Sequence, residues 1–261
     1  MILNNKVNDY RVESFERVDS TNSLALEYAL SGDAGRLWIV AKEQFAGRGR
    51  SGRQWVSRPG NLYASLLLID EVSTQKAALL GFVAGVSLVE AIQEIAHENN
   101  NHTLSVKLKW PNDVLINDAK ASGILLEMAT LPSGANALVI GMGVNIAFCP
   151  MNLAYETSSL HKAGLKVSVE DFFYKLCQKW ADNFKLWQQD NGQQLIREKW
   201  LFYAAHLTKP INTMHNGKQC SGIFETLDDD FKCIIKMDNG ERVAIIAGDV
   251  YFGSTNENNN K

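Results

Sequence analysis

Apolar residues recur with two periods along this chain. At residues 77–97, Leu79, Phe82, Val83, Val86, Val89 and Ile92 return at three- and four-residue steps, the spacing of one helical face. The same period reappears at 170–190, where Phe173, Leu176, Cys177, Trp180, Phe184 and Trp187 share a face, and a further helix is expected over 193–203. Asp19-Ser-Thr-Asn-Ser23 is a run of capping residues ahead of LALEYAL, so a helix should start there. Elsewhere the period is two: Leu104, Val106, Leu108 and Trp110 alternate with Ser105, Lys107 and Lys109, the pattern of a half-buried strand. Strands are also expected at 37–41 and 61–69. A hairpin is expected from 114–116 and 123–129 across Asn117-Asp118, and a strand at 137–140 that ends in a turn at Gly141-Met-Gly-Val-Asn145.

After Pro210 the pattern changes to short strands separated by Asn216-Gly217, Asp228-Asp-Asp230 and Asn239-Gly240, the spacing of a small barrel. The tail STNENNNK is polar and of low complexity and is read as disordered. The expected architecture is α/β (α+β): a mixed β-sheet with helices over residues 1–207, a small β-barrel over 208–253, and a tail at 254–261.

Composition narrows the function classes. The 261 residues are 46% apolar and 21% charged with a net charge of -3, so nothing marks the whole molecule as a nucleic-acid or membrane binder. Any basic site must be local. The apolar stretch 77–92 contains Ser87 and Glu90 and is short for a membrane span, so it reads as a core helix. The N-terminus lacks the basic and apolar blocks of a signal peptide. Cys149, Cys177, Cys220 and Cys233 form no C-x-x-C pair and suggest no disulfide framework, which fits a reducing cytoplasm.

The local basic site is Lys42-Glu-Gln-Phe-Ala-Gly-Arg-Gly-Arg-Ser-Gly-Arg-Gln-Trp55. Between residues 42 and 58 five basic side chains (Lys42, Arg48, Arg50, Arg53, Arg58) stand against Glu43 alone. Interleaved glycines free the backbone, and arginine forks suit phosphate and carboxylate oxygens. Such a loop is expected to be mobile without ligand and to cover a polyanion once bound. On the loop alone, nucleotide binding and binding of single-stranded RNA stand equally; no Walker sequence is present. In Lys109-Trp-Pro-Asn-Asp113, Pro111 ends a strand and presents Asn112 and Asp113 at its end, although Asn and Asp are common in any turn. Lys120, in Lys-Ala-Ser-Gly-Ile-Leu, lies across the expected hairpin, where an ammonium group could offset phosphate charge.

Taken in order, Ser20-Thr-Asn22, Gln44 with GRGRSGRQW, KWPND, KASGIL and GMGVN closely resemble the biotin protein ligase family, and the segment ending AGDVYF resembles its SH3-like C-terminal domain. The resemblance extends to about Gly253. It implies an enzyme that uses ATP and Mg²⁺ to convert biotin to biotinyl-5'-AMP, then transfers biotin to a lysine of the biotin carboxyl carrier protein of acetyl-CoA carboxylase. Lipoate protein ligase, which shares the fold and chemistry, is the alternative. By motif position the resemblance implies a biotin site of Ser20, Thr21, Asn22, Gln44, Gly47, Arg48, Arg50, Trp55, Lys120, Gly123 and Ile124. It implies a nucleotide site of Arg48, Arg50, Arg53, Trp55, Asn112, Lys120 and Asn145, with Asn112 and Asp113 near Mg²⁺. Arg50, Lys120 and Asp113 are the expected catalytic residues, Arg50 retaining the adenylate and Asp113 steering or deprotonating the incoming lysine. No adenine-stacking residue can be assigned this way. Some family members carry an N-terminal DNA-binding domain; here the ligase pattern begins within the first twenty residues, so no DNA binding is expected. Nor is membrane binding, while a homodimer is left open.

Overall fold

The computed structural model describes residues 6–215, 218–245 and 250–252. Eight strands form the main sheet: β1 (Lys6–Val7), β2 (Tyr10–Val18), β3 (Leu37–Gln44), β4 (Leu62–Ile69), β5 (Val106–Lys109), β6 (Asp113–Ile116), β7 (Ala119–Thr130) and β8 (Asn136–Val144). Their order is β1-β2-β3-β4-β8-β7-β6-β5, with β2 and β3 parallel and the other neighbours antiparallel. The parallel pair is joined by helix α1 (Thr21–Leu30), which starts where the capping run placed it. Both faces of the sheet are covered. Leu37, Ile39, Leu67 and Val139 pack with Ala25 and Ala29 of α1, while Trp38, Val40, Leu66 and Ile140 belong to the larger core on the other side. That is why 37–41 reads as an unbroken apolar run, and 62–68 as one interrupted by Ser65 alone, rather than as alternation.

The larger core is closed by α2 (Thr74–Ala77), α3 (Leu80–Glu98), α4 (Val169–Trp187) and α5 (Gly192–Tyr203). The predicted face of α4 is buried throughout. The expected helix at 77–97 divides into α2 and α3, and α3 is buried on nearly every side instead of along one stripe, because α4 and α5 cover the face turned from the sheet. The segment 74–98 is long and apolar enough to cross a membrane. Its polar residues are instead accommodated in the core: Ser87 Oγ donates to the Val83 carbonyl at 2.8 Å, and Glu90 accepts from Lys199 and Asn183.

Beyond α5 a second, antiparallel sheet has the order β12-β11-β10-β9-β13, from β9 (Pro210–His215), β10 (Lys218–Leu227), β11 (Cys233–Lys236), β12 (Arg242–Ile245) and β13 (Val250–Phe252). It is consistent with an SH3-like domain. Asn239-Gly240 makes a turn between β11 and β12, as expected. Residues 216–217, 246–249 and 253–261, which include the expected disordered tail, lie outside the described residues. The two sheets are tied together. Phe231, just past Asp228–Asp230, is buried with its ring 4.6 Å from Phe82 and 6.4 Å from Trp187, and its carbonyl accepts from Trp110 Nε1 at 3.0 Å.

Two expectations are corrected. The GMGVN segment is not a turn after a strand: β8 runs through Val144, paired with β4 and β7 on either side. And β2, for which the pattern offered no element, is a nine-residue strand.

Candidate active site

The site opens over the ends of β3, β7 and β8, beside the N-terminus of α1. Ser20 caps that helix in extended conformation, and Ser20, Thr21 and Asn22 are all buried. Thr21 donates through its backbone N–H (2.9 Å) and its hydroxyl (3.1 Å) to Gln44 Oε1. The Ser65 hydroxyl on β4 lies within hydrogen-bond distance of both Thr21 Oγ1 (2.7 Å) and Asn22 Oδ1 (2.6 Å), and its single proton is donated to one of them. Asn22 Nδ2 in turn donates to the Leu125 carbonyl at 3.3 Å and to Glu127 Oε2 at 2.8 Å. The donors of Thr21, Asn22 and Ser65 are therefore directed at protein partners, and oxygen lone pairs remain.

The arginine segment folds into a small hairpin rather than an unpatterned loop. Arg48 and Gln54 form an isolated bridge, the Gly49 N–H donates to the Arg53 carbonyl (2.7 Å), and the Trp55 N–H donates to the Gly47 carbonyl (2.8 Å). A turn at Arg50–Gly52 closes it, with Ser51 and Gly52 at positive φ. Arg48 Nη2 donates to Glu127 Oε2 at 2.8 Å, and Arg50 Nη1 to Asn112 Oδ1 at 3.1 Å.

Asn112 follows a cis Trp110–Pro111 peptide and is bound to β7 at both ends: its Nδ2 donates to the Ile124 carbonyl (2.7 Å), and the Ile124 N–H donates to its own carbonyl (2.9 Å). A β-bulge between Val114 and Leu115 shifts the register of β6 on β7. Lys120 Nζ ends 2.7 Å from Asp113 Oδ1. That oxygen is buried and accepts no hydrogen bond, so the contact is ionic rather than directional. The ammonium also lies 5.5 Å from the rings of both Trp55 and Tyr155.

Glycines make room for these side chains. Gly123 and Gly143 are cross-strand partners under Trp55; a Cβ on Gly143 would stand 2.4 Å from Trp55 Cε2, and one on Gly141 would stand 2.2 Å from Asn22 Oδ1. The GMG segment thus provides close backbone approach, as its glycines suggested, but from inside a strand.

The pocket that results is lined by Ser20, Thr21, Asn22 and Gln44, with Arg48 beside Asn22 on the shared Glu127 oxygen, and by Arg50, Arg53, Asn112, Asp113 and Lys120. A family model described as the biotin/lipoate A/B protein ligase family matches residues 14–145. The biotin--[acetyl-CoA-carboxylase] ligase of Paracoccus denitrificans is 38% identical over 246 residues, 91% of this chain and 98% of that one. This chain belongs to the biotin/lipoate protein ligase family. The bifunctional ligase/repressor of Escherichia coli is 28% identical over 85% of this chain and 68% of its own length. The fold matches the biotin protein ligase of Aquifex aeolicus, solved in complex with biotin and ATP, with a TM-score of 0.78 at 24% identity over 94% of this chain and 99% of that one.

Within this ligase fold most of the motif residues converge on the one pocket, including Trp55, Gly123 and Ile124. Two do not line it. Asn145 is buried behind it, its Nδ2 donating to the Ser158 carbonyl at 3.0 Å. Gly47 lies beneath the hairpin, where a Cβ would meet the Trp55 carbonyl at 2.6 Å. Motif matching also passed over Tyr63, Ser65, Glu127, Met142 and Tyr155. Tyr63, Met142 and Tyr155 line the pocket, Ser65 and Glu127 hold its polar end, and Tyr63 further braces the segment by bonding both the N–H and the carbonyl of Arg58. Burial raises the Tyr63 phenol above its ordinary pKa. Among the described residues, no group of three or more His, Cys, Asp or Glu side chains is arranged to hold a metal ion.

Proposed function

We propose that the chain is a biotin protein ligase that activates biotin with ATP and transfers it to a lysine of a biotin carboxyl carrier protein. The observation that carries this reading is one pocket with an acceptor-rich end and a cationic end. At the first end, lone pairs of Thr21 and Asn22 call for N–H donors on the ligand, and the Ser20 hydroxyl can donate to a carbonyl. A ureido ring supplies two N–H groups and one carbonyl. The dithiolane of lipoate supplies none, and would leave buried acceptors unpaired, which disfavours it.

Beyond it, Arg48, Arg50, Arg53 and Lys120 offset the repulsion between a carboxylate and a triphosphate. A biotin carboxylate oxygen attacks the α-phosphorus, the bond to the β-phosphate oxygen breaks, and pyrophosphate leaves. The neutral Nζ of the carrier lysine then attacks the acyl carbon, the C–O bond to phosphate breaks, and AMP leaves. Asp113 orients that amine or takes its proton. Arg50, anchored on Asn112, holds the adenylate until the carrier arrives. Asn112 and Asp113 make a poor resident Mg²⁺ site, since the Asn112 amide oxygen already faces Arg50 and the carboxylate faces Lys120. In this reading Mg²⁺ enters on the nucleotide phosphates as part of the substrate.

Residues 1–207 are the catalytic domain and 208–253 the SH3-like domain. The free thiols of Cys149, Cys177 and Cys233 fit a cytoplasmic enzyme.

The test supplies ATP and Mg²⁺ with biotin or lipoate and a carrier domain of known competence, following carrier labelling and pyrophosphate release. ATP-dependent biotinylation of a single carrier lysine is expected, and stray labelling by Arg50→Gly. Turnover with lipoate alone would overturn the substrate assignment.

A further inference from the structure

Glu127 is the acidic side chain that joins Asn22, at the head-group end of the pocket, to Arg48, the first arginine of the hairpin that also carries Arg50 and Arg53. It sits on β7, two residues beyond Leu125, and does not itself line the cavity. One of its oxygens, Oε2, accepts from Asn22 Nδ2 and from Arg48 Nη2, both at 2.8 Å. A fixed negative charge beside a site for two anions opposes binding unless it serves another purpose. Here it serves two. At the head-group end it takes one Asn22 N–H while the Leu125 carbonyl takes the other, which fixes the amide with Oδ1 toward Ser65 and the pocket. From the same oxygen it holds the guanidinium of Arg48 by a charge-assisted bond, and so secures the first strand of the hairpin whose turn carries Arg50.

Because both contacts end on a single atom, a shift of either partner is felt by the other. A ligand that presses on Asn22 therefore settles the position of Arg48, and a ligand that draws on Arg48 tightens the hold on Asn22. We propose that Glu127 is a positioning residue that couples occupancy of the biotin end to occupancy of the nucleotide end. This rests on the ligase reading above, and adds a regulatory link within its site that the motifs do not contain.

The experiment measures the dissociation constant of biotin by calorimetry, with and without a saturating non-hydrolysable ATP analogue and Mg²⁺. The ratio of the two constants is the coupling. The intact protein is expected to bind biotin roughly tenfold more tightly with the analogue present, within the ordinary range for linked sites. In Glu127→Gln that ratio is expected to fall toward one. A merely structural role would weaken both constants alike and leave the ratio unchanged. Because Arg48 itself faces the ligand anions, the link is cut at the carboxylate alone: Glu127→Asp, whose shorter side chain cannot reach both partners, should also lower the ratio, and it decides the matter if Glu127→Gln proves unstable. Biotin binding with a ratio near one in the intact protein, or a ratio unchanged in these variants, would overturn the inference. Binding of lipoate but not biotin would instead overturn the ligase reading on which it rests.

Discussion

At the scale of single residues, the site depends as much on missing atoms as on functional groups. Gly143 lacks a Cβ that would stand 2.4 Å from the indole of Trp55. In Gly143→Ala the indole must move, because the strand beneath it is paired on both sides. We expect kcat/KM for biotinylation to fall about tenfold or more, equivalent to about 1.4 kcal/mol, while the melting temperature changes little. Steady-state kinetics beside a thermal melt checks this; unchanged kinetics would remove Trp55 from the pocket wall. Lys120 differs in kind. Its ammonium is paired with the half-buried Asp113 carboxylate and is framed by two aromatic rings. Lys120→Gln removes charge that would stabilise the reacting phosphate and acyl oxygens, so kcat for adenylate formation should drop by about 10²–10³, the usual loss for such a group. Pyrophosphate release measured at saturating biotin and ATP tests it, and a change confined to KM would contradict the role.

At the scale of elements, what could be read depended on whether an element's environment is local. Helix α4 was legible because one face is buried and the other wet, and α1 because Ser20 signals its start. Half of the pattern of β2 was visible, with Tyr10 and Val12 buried, but from Glu13 onward the alternation gives way to polar and half-exposed residues. What makes it a strand is parallel pairing with β3, a contact made across α1. Glycines in β8 signalled a turn because turns use glycine for its backbone freedom, whereas here they are needed for space. The motif residues of the site were legible, since they sit in short contiguous runs. Ser65 and Glu127 were not, because each is one polar residue on a strand whose orientation only the assembled sheet decides. The connection from α5 to β9 offers a test at this scale. His206 is half-buried there, and desolvation by burial lowers its pKa below 6.5, with Lys109 acting in the same direction and Asp118 opposing. The unfolded chain then binds the proton more readily than the folded one. Stability is held above pH 6.5 and declines as pH falls from there toward the folded pKa. Thermal midpoints should therefore decline from pH 7.5 to pH 5.5, and His206→Gln should flatten part of that slope; parallel profiles would exclude His206 as the source.

At the scale of the whole molecule, the open question is what the second sheet contributes to catalysis. Its tie to the first is concentrated in the turn between β10 and β11, where Phe231 inserts beside Phe82 and Trp187 and its carbonyl is bound by the Trp110 indole. Trp110 belongs to the KWPND run, so the same turn that anchors the second sheet also bears on the strand end presenting Asn112 and Asp113. An apolar cleft runs between them: Arg50 and Asn112 form its wall on the side of the active site, and Asp230, Phe231 and Lys232 form it on the other. Docking and chemistry should therefore fail together. Truncating this fully buried ring in Phe231→Ala should cost about 3–5 kcal/mol and lower the thermal midpoint. Phe231→Leu keeps most of the volume and should cost far less. The informative comparison is activity well below both midpoints, where each variant is folded. If the second sheet only caps the core, the two variants should then turn over like the parent. If, as the shared position of Trp110 argues, it also holds Asn112 and Asp113 in register with Arg50, Phe231→Ala should lose kcat/KM for carrier biotinylation several-fold at that same temperature, with Phe231→Leu between it and the parent.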